Sequence, residues 1–179
     1  TTTEVPRLGT VTLSGIGLTL DATSDNEVLV GFGDGAETAV VQLAGALGEP
    51  VGDTGWVEDE SCLAAEVRRL GWGGLELVLA RDSVDGQGQL VQWFLDGPDS
   101  TETSWWTLER IGIGSTVADL RDAYGPQLFL EQPSDRDPAA WFDAEPVLGD
   151  GVLGAVGNIT DTGRILLMWA GDGCLRRFS

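Results

Sequence analysis

Residues 111–125 read Ile-Gly-Ile-Gly-Ser-Thr-Val-Ala-Asp-Leu-Arg-Asp-Ala-Tyr-Gly, and their spacing predicts a short amphipathic helix entered from a Gly-rich strand end. Ser115 or Thr116 caps it, because a hydroxyl there accepts from an amide left free in the first turn, and Asp119 stands three residues after Thr116, where a capping box places its acid. Val117, Leu120 and Tyr124 fall on one face at i, i+3 and i+7, with Ala123 beside them. Asp119, Arg121 and Asp122 take the wet face. Gly125 suits the left-handed closing position and Pro126 forbids continuation.

The same pattern occurs earlier. A helix is predicted from about Thr38 to Leu47, with Val40, Leu43 and Leu47 on one face and Gly48-Glu49-Pro50 as its stop. Thr38 matches Ser115, and Gly48 and Gly125 lie 77 residues apart. Downstream, Asp-Gly-Gln-Gly-Gln-Leu-Val-Gln-Trp-Phe at 85–94 resembles Asp-Thr-Gly-Arg-Ile-Leu-Leu-Met-Trp at 161–169, with Gly88 and Gly163 75 residues apart. The predicted fold is therefore α+β: two tandem repeats, each a short helix packed on an antiparallel β-sheet. The division is 1–9 as an N-terminal tether, 10–100 as the first repeat with extra N-terminal strands, and 105–179 as the second repeat. Residues 99–104 are the linker.

Period-two alternation predicts a strand over 10–20, with a bulge or bend where the phase slips at Ser14-Gly15. Further strands are read at 27–33, 66–72, 75–80, 89–95, 128–130, 152–159 and 164–170. Gly73-Gly74 is a tight turn, and 131–140 is a loop.

Charge and composition exclude several functions. The 179 residues carry 29 acids against 10 bases, a net of −19, and there is no His. Such a chain repels phosphate backbones and anionic lipid, which argues against nucleic acid as a partner. Without His there is no Ser-His-Asp or Cys-His apparatus, and two Cys alone do not build a zinc site. Gly31-Phe-Gly-Asp-Gly35 lacks the Lys of a phosphate loop, and no cofactor motif is present. Asp82, Asp85 and Gly86 have the wrong spacing for a calcium loop, and Asp135-Arg-Asp137 runs into Pro138; a weak surface calcium site is the one metal expectation. No apolar run is as long as a membrane helix. Cys62 and Cys174 suit one disulfide if the chain is exported, or two buried thiols if it is cytosolic. The opening Thr-Thr-Thr-Glu-Val-Pro reads like the end of a tether behind a signal or lipid-attachment region, which makes an extracellular or cell-surface location the expectation.

Gly-Ser-Thr-x-x-x-Leu-x-x-x-Tyr-Gly at 114–125 is similar to the helix motif of small envelope repeats of the β-lactamase-inhibitory-protein and outer-membrane-assembly-lipoprotein kind, and Leu47-Gly-Glu-Pro50 looks like the matching helix end. Over residues 10–174 the chain resembles a group of secreted or lipid-anchored actinobacterial proteins without an assigned activity. The likeness is carried by Gly31-Phe-Gly33, Leu47-Gly-Glu-Pro50, Asp53-Thr-Gly-Trp56, Cys62, Val67-Arg68 with Trp72, Ile113-Gly-Ser-Thr116 and Ala170-Gly-Asp-Gly-Cys174. The resemblance implies export, tandem α+β repeats and a Cys62–Cys174 bridge. This chain has two Cys in all, where the inhibitor has a pair within each repeat, so β-lactamase inhibition is not carried over.

Seven Trp stand in the chain. Trp72, Trp93 and Trp169 sit in strand patterns and are expected in the core. Trp105 and Trp106 are adjacent, so in a strand they point to opposite faces and one is exposed. Trp141-Phe142 follows the Pro-rich loop as a lip. Trp105, Trp106, Trp141 and Phe142 are the candidate binding aromatics; packing between repeats is the competing explanation. The functional expectation is a non-enzymatic exported cell-envelope module that binds a protein or envelope polymer through loops or a sheet face. A structural or assembly subunit is the alternative. A carboxylate-based hydrolase comes third, since no spacing nominates an acid pair.

Overall fold

A computed structural model describes residues 10–21, 25–97, 105–144 and 151–174; the tether 1–9 and the linker 99–104 lie outside the described residues. The architecture is mixed α+β, mainly sheet. Strands β1 (Val11–Ser14), β2 (Gly17–Leu20) and β3 (Val28–Gly31) form a meander, and β8 (Trp106–Thr107) joins β1 in parallel to complete a four-stranded sheet of order β3-β2-β1-β8. The phase slip at Ser14-Gly15 is thus a tight turn rather than a bulge, with Ser14 paired to Gly17 and Leu13 to Leu18. The slip marks where the chain reverses, and each half keeps its leucine on the buried side. Gly17 is required there: its φ is 142°, and a Cβ would lie 2.3 Å from the Val30 carbonyl oxygen.

The larger sheet has eight antiparallel strands. Its first half is β4 (Gly52–Asp53), β5 (Glu66–Trp72), β6 (Leu75–Arg81) and β7 (Gln89–Asp96). The second half is β9 (Leu128–Glu131), β10 (Ala140–Ala144), β11 (Val152–Val156) and β12 (Ile165–Gly171). The order is β4-β5-β6-β7-β12-β11-β10-β9, so the last strand of each half meets at the centre. Strand β10 falls where a loop end and an aromatic lip were expected. Its five residues alternate, with Ala140, Phe142 and Ala144 in the main core and Trp141 on the opposite face.

Helices α1 (Ala36–Leu47) and α2 (Val117–Tyr124) and the small sheet contribute to one core with the inner face of the large sheet. Leu75, Leu77 and Leu79 of β6 point into it, beside Leu43 of α1, Leu120 of α2 and Leu13 and Leu18 of the small sheet. Trp93 is fully buried among them, and its Nε1 donates to the Ser14 carbonyl, tying the two sheets together.

The predicted capping box holds at α2: the Asp119 amide donates to the Thr116 hydroxyl and the Thr116 amide to the Asp119 carboxylate. At α1 the expected start is corrected. The helix begins at Ala36 with Gly35 at the cap and no side-chain capping bond, so Thr38 is no cap. The reason is tertiary. The Gly33 amide donates to the Leu90 carbonyl, the Ala36 amide to Gly88, and the Leu90 amide returns to Asp34. These bonds hold the helix start against the strand and satisfy the first-turn amide of Ala36. At α2 the same three bonds run from Gly114 to Ile165, from Val117 to Gly163, and from Ile165 to Ser115. Counterparts at the helix starts (33 and 114) are 81 residues apart, whereas the closing Gly48 and Gly125 are 77 apart. The difference is one helical turn: α1 has 12 residues and α2 has 8.

Both joint glycines are crowded. A Cβ on Gly88 would lie 2.3 Å from the Trp56 ring, and one on Gly163 would lie 1.9 Å from the Asn158 carbonyl oxygen. The second obstacle is backbone and cannot swing away. Gly163→Ala is therefore expected to cost about 3 kcal/mol by forced displacement of the 158–163 turn; the shift in the urea unfolding midpoint measures it.

Cys62 and Cys174 form a disulfide that joins the loop before β5 to the end of β12. Gln92, 1% exposed, grips the same segment: its Nε2 donates to the Cys174 carbonyl and its Oε1 accepts from the Cys174 amide.

Candidate functional site

Alternation along the large sheet sends half of its side chains away from the helices. Among the described residues no helix or second sheet packs on that outer face, though the loop carrying Cys62 and Ala64 and the segment at Cys174 cover Val67 and Val78 at its β5–β6 end. One register row crosses it from Gly71 through Glu76, Phe94, Trp169, Leu153 and Asp143 to Phe129. Trp141 stands on the neighbouring row, between Glu131 and Ala155. Phe94 stacks on Trp169 with ring centroids 6.4 Å apart, and Trp141 meets Trp169 edge-on at 5.9 Å. Trp141 is held by a hydrogen bond from its Nε1 to Asp137 (2.7 Å). The result is an aromatic strip, Phe94–Trp169–Trp141, extended to solvent by Phe129, which is 64% exposed. A hollow of about 310 Å³ opens over Phe129, Trp141, Leu153 and Trp169 with Glu131 and Asp143 at its margin. Glu76 and Asp96 line a second hollow, of about 400 Å³, on the other side of Phe94.

The four candidate aromatics therefore separate. Trp105 and Phe142 pack in the main core, and the Trp105 Nε1 donates to the Gly73 carbonyl. Trp141 lines the outer-face hollow. Trp106 is half-buried and lines a different cleft, between β8 and α2. Trp169 is buried as expected, 7% exposed, but in the smaller cluster on the outer face of the sheet rather than in the main core. Its sequence, Ile-Leu-Leu-Met-Trp-Ala, is apolar on both parities, so alternation alone does not say which side Trp169 takes.

Acidic groups with displaced titration belong to ion pairs and caps. The Arg68 guanidinium, hydrogen-bonded to Asp53, lowers that carboxyl to about 2. Hydrogen bonds from Ser61 and then Arg69 lower Asp59 to about 2. Bonds from Thr116 lower Asp119. Each shift runs opposite to what a general acid needs. Among the described residues no three His, Cys, Asp or Glu side chains come together to hold a metal ion. No helix among them is long and apolar enough to cross a membrane.

Tyr124, the one tyrosine of the chain, lies under the 107–111 loop. Burial pushes its phenol up to about 12, against a hydrogen bond with Thr107 and with reinforcement from the Glu109 carboxylate. A folded value above the ordinary 10.0 means the associated stability is complete below pH 10 and is lost as pH rises through 12. About two units correspond to roughly 2–3 kcal/mol. Phenolate absorbance of the folded protein is expected to rise with a midpoint near 12; a midpoint at the ordinary tyrosine value would place the ring in solvent.

No protein-family model, no curated protein and no solved structure matches the chain.

Proposed function

We propose that the protein is a non-enzymatic, exported binding module of the cell envelope, built from two tandem α+β repeats, which engages a protein partner through the outer face of its large sheet. The observation that carries this reading is Phe129, 64% exposed at the open end of the row Phe94–Trp169–Trp141, whose own residues are only 7–8% exposed, beside the hollow of about 310 Å³ that Phe129, Trp141 and Trp169 line. Aromatic clusters at the centre of a patch with polar margins are typical of binding hot spots. Eight strands span about 34 Å, the breadth of a contact burying about 800 Å² on each partner. Glu76, Asp96, Glu131 and Asp143 surround the strip, so the fitting partner presents an apolar centre ringed by Lys or Arg.

The repeat reading is supported by the order helix-then-four-strands occurring twice, and by the matched main-chain bonds at the two joints. Export is supported by the disulfide, which persists in oxidising compartments. The non-enzymatic reading is supported by the Asp53 and Asp59 carboxyls, which are held ionised by Arg68, Ser61 and Arg69 rather than poised to transfer a proton.

A photo-cross-linking residue at position 129, introduced in the native envelope, is expected to give a discrete protein adduct, while the same residue at position 29 on the small sheet gives none. Equal labelling from both positions would remove the sheet face as the site. A second copy of the chain in the adduct would turn the reading to self-assembly, with a concentration-dependent mass in light scattering.

A further inference from the structure

The loop Thr107–Ile111 is a tight turn with an unusual occupant. The Arg110 amide donates to the Thr107 carbonyl, the Thr107 amide donates to Ile111, and Arg110 has φ 64°. This is a type I turn followed by a left-handed residue, a position that turn chemistry gives to Gly or Asn. The turn's own hydrogen bonds impose that backbone, and the side chain gains nothing inside the fold: among the described residues the Arg110 guanidinium has no hydrogen-bond or ion-pair partner. Retained local strain is a pointer to a site.

Arg110 lines the cleft of about 790 Å³ between β8 and α2, with Trp106, Glu109, Asp119, Asp122 and Arg164. Trp106 is fixed as a platform. A Cβ on Gly112 would lie 2.8 Å from the indole Cε3, so the bare glycine lets the loop back pack against one side of the ring. Glu109 is positioned by the Tyr124 hydroxyl, which donates to its Oε2 at 3.4 Å. Asp122 has no side-chain partner among the described residues. The cleft therefore offers an aromatic surface, a free planar donor and carboxylate acceptors, on the far side of the molecule's core from the aromatic strip.

We propose that this cleft is a second binding site, for a neutral oligosaccharide. An anion would face Glu109, Asp119 and Asp122 within a chain of net −19, and a cation would face Arg110 and Arg164. A neutral polyol uses both: its hydroxyls donate to carboxylates and accept from the guanidinium, while the C–H face of a sugar ring lies on the indole. The volume suits a ligand of more than one ring rather than a free amino acid, whose zwitterion is the other chemistry such a mixed site recognises.

The test is an array of neutral and acidic oligosaccharides probed with the whole protein, followed by calorimetry on the sugars that bind and on glycylglycine as a zwitterion control. Arg110→Gly is the informative variant, because glycine relaxes the left-handed position while removing the guanidinium. It is expected to raise the melting temperature and to weaken neutral-sugar binding at least about tenfold. Asp122→Asn, on the exposed side of α2, is expected to weaken it too without unfolding the chain. No neutral sugar binding, binding of glycylglycine in place of sugars, or full sugar affinity in Arg110→Gly would each overturn the proposal. Phe129→Glu leaves sugar binding unchanged, which separates this site from the sheet face.

Discussion

Replacing Cys62 and Cys174 together by Ala is expected to lower stability by about 4–5 kcal/mol. The bridge spans a sequence separation of 112, so it removes a large closed loop from the unfolded ensemble. It links the loop before β5 to the end of β12, and thereby one outer part of the first half to the central seam. Arg69 loses its contacts with the two sulfurs, at 3.4 and 3.6 Å, but the other native partners survive the substitution. Gln92 still pairs with the Cys174 backbone, and Arg69 keeps its ion pairs with Asp59 and Glu76, each at 2.7 Å. The loss thus falls mainly on the unfolded state. Chemical unfolding of the oxidised protein and the double variant reads it directly. A difference below about 1 kcal/mol would mean that the denatured chain already holds these ends together.

Trp93→Ala is expected to cost about 3–5 kcal/mol. Trp93 sits at the centre of the large sheet on the inner face, 0% exposed, and its indole nitrogen reaches the Ser14 carbonyl at 2.7 Å. Truncation leaves a cavity between two sheets held apart by their neighbours and takes away a donor from the first hairpin. Phe129→Ala, on the exposed end of the outer strip, is expected to change stability by less than about 0.5 kcal/mol. The contrast checks the assignment of faces: two aromatics in strands, one structural and one available. Comparable losses at both positions would mean that Phe129 is covered in solution.

Much of the scaffold is written in local chemistry. Gly48-Glu49-Pro50 and Gly125-Pro126 stop their helices, Thr116 and Asp119 start one, and Gly73-Gly74 turns β5 into β6. The start of α1 was hidden because its partners are the main-chain groups of Gly88 and Leu90, 52 to 57 residues away along the chain. The first hairpin was hidden because β1 and β2 each carry the same alternation, so a reversal reads as a slip. Strand β10 was missed since five residues after a Pro-rich loop give little period to read. The candidate site was only half visible. Trp141 stood out by its place after the loop, but the face taken by Trp169 depends on a bulge between Ala155 and Val156 and on the strands beside it. That information is non-local. The same holds for Arg110, whose left-handed backbone follows from pairing of Thr107 with Ile111.

The most direct measurement is the affinity of the cross-linked partner, once purified, for the wild-type protein, for Phe129→Glu and for Leu29→Glu. Both residues are exposed, at 64% and 47%, so neither substitution disturbs the core. The expected result is a loss of at least about tenfold for Phe129→Glu, a charge placed at the open end of the aromatic strip, with Leu29→Glu unchanged. Unaltered affinity in Phe129→Glu would contradict the sheet face as the binding surface.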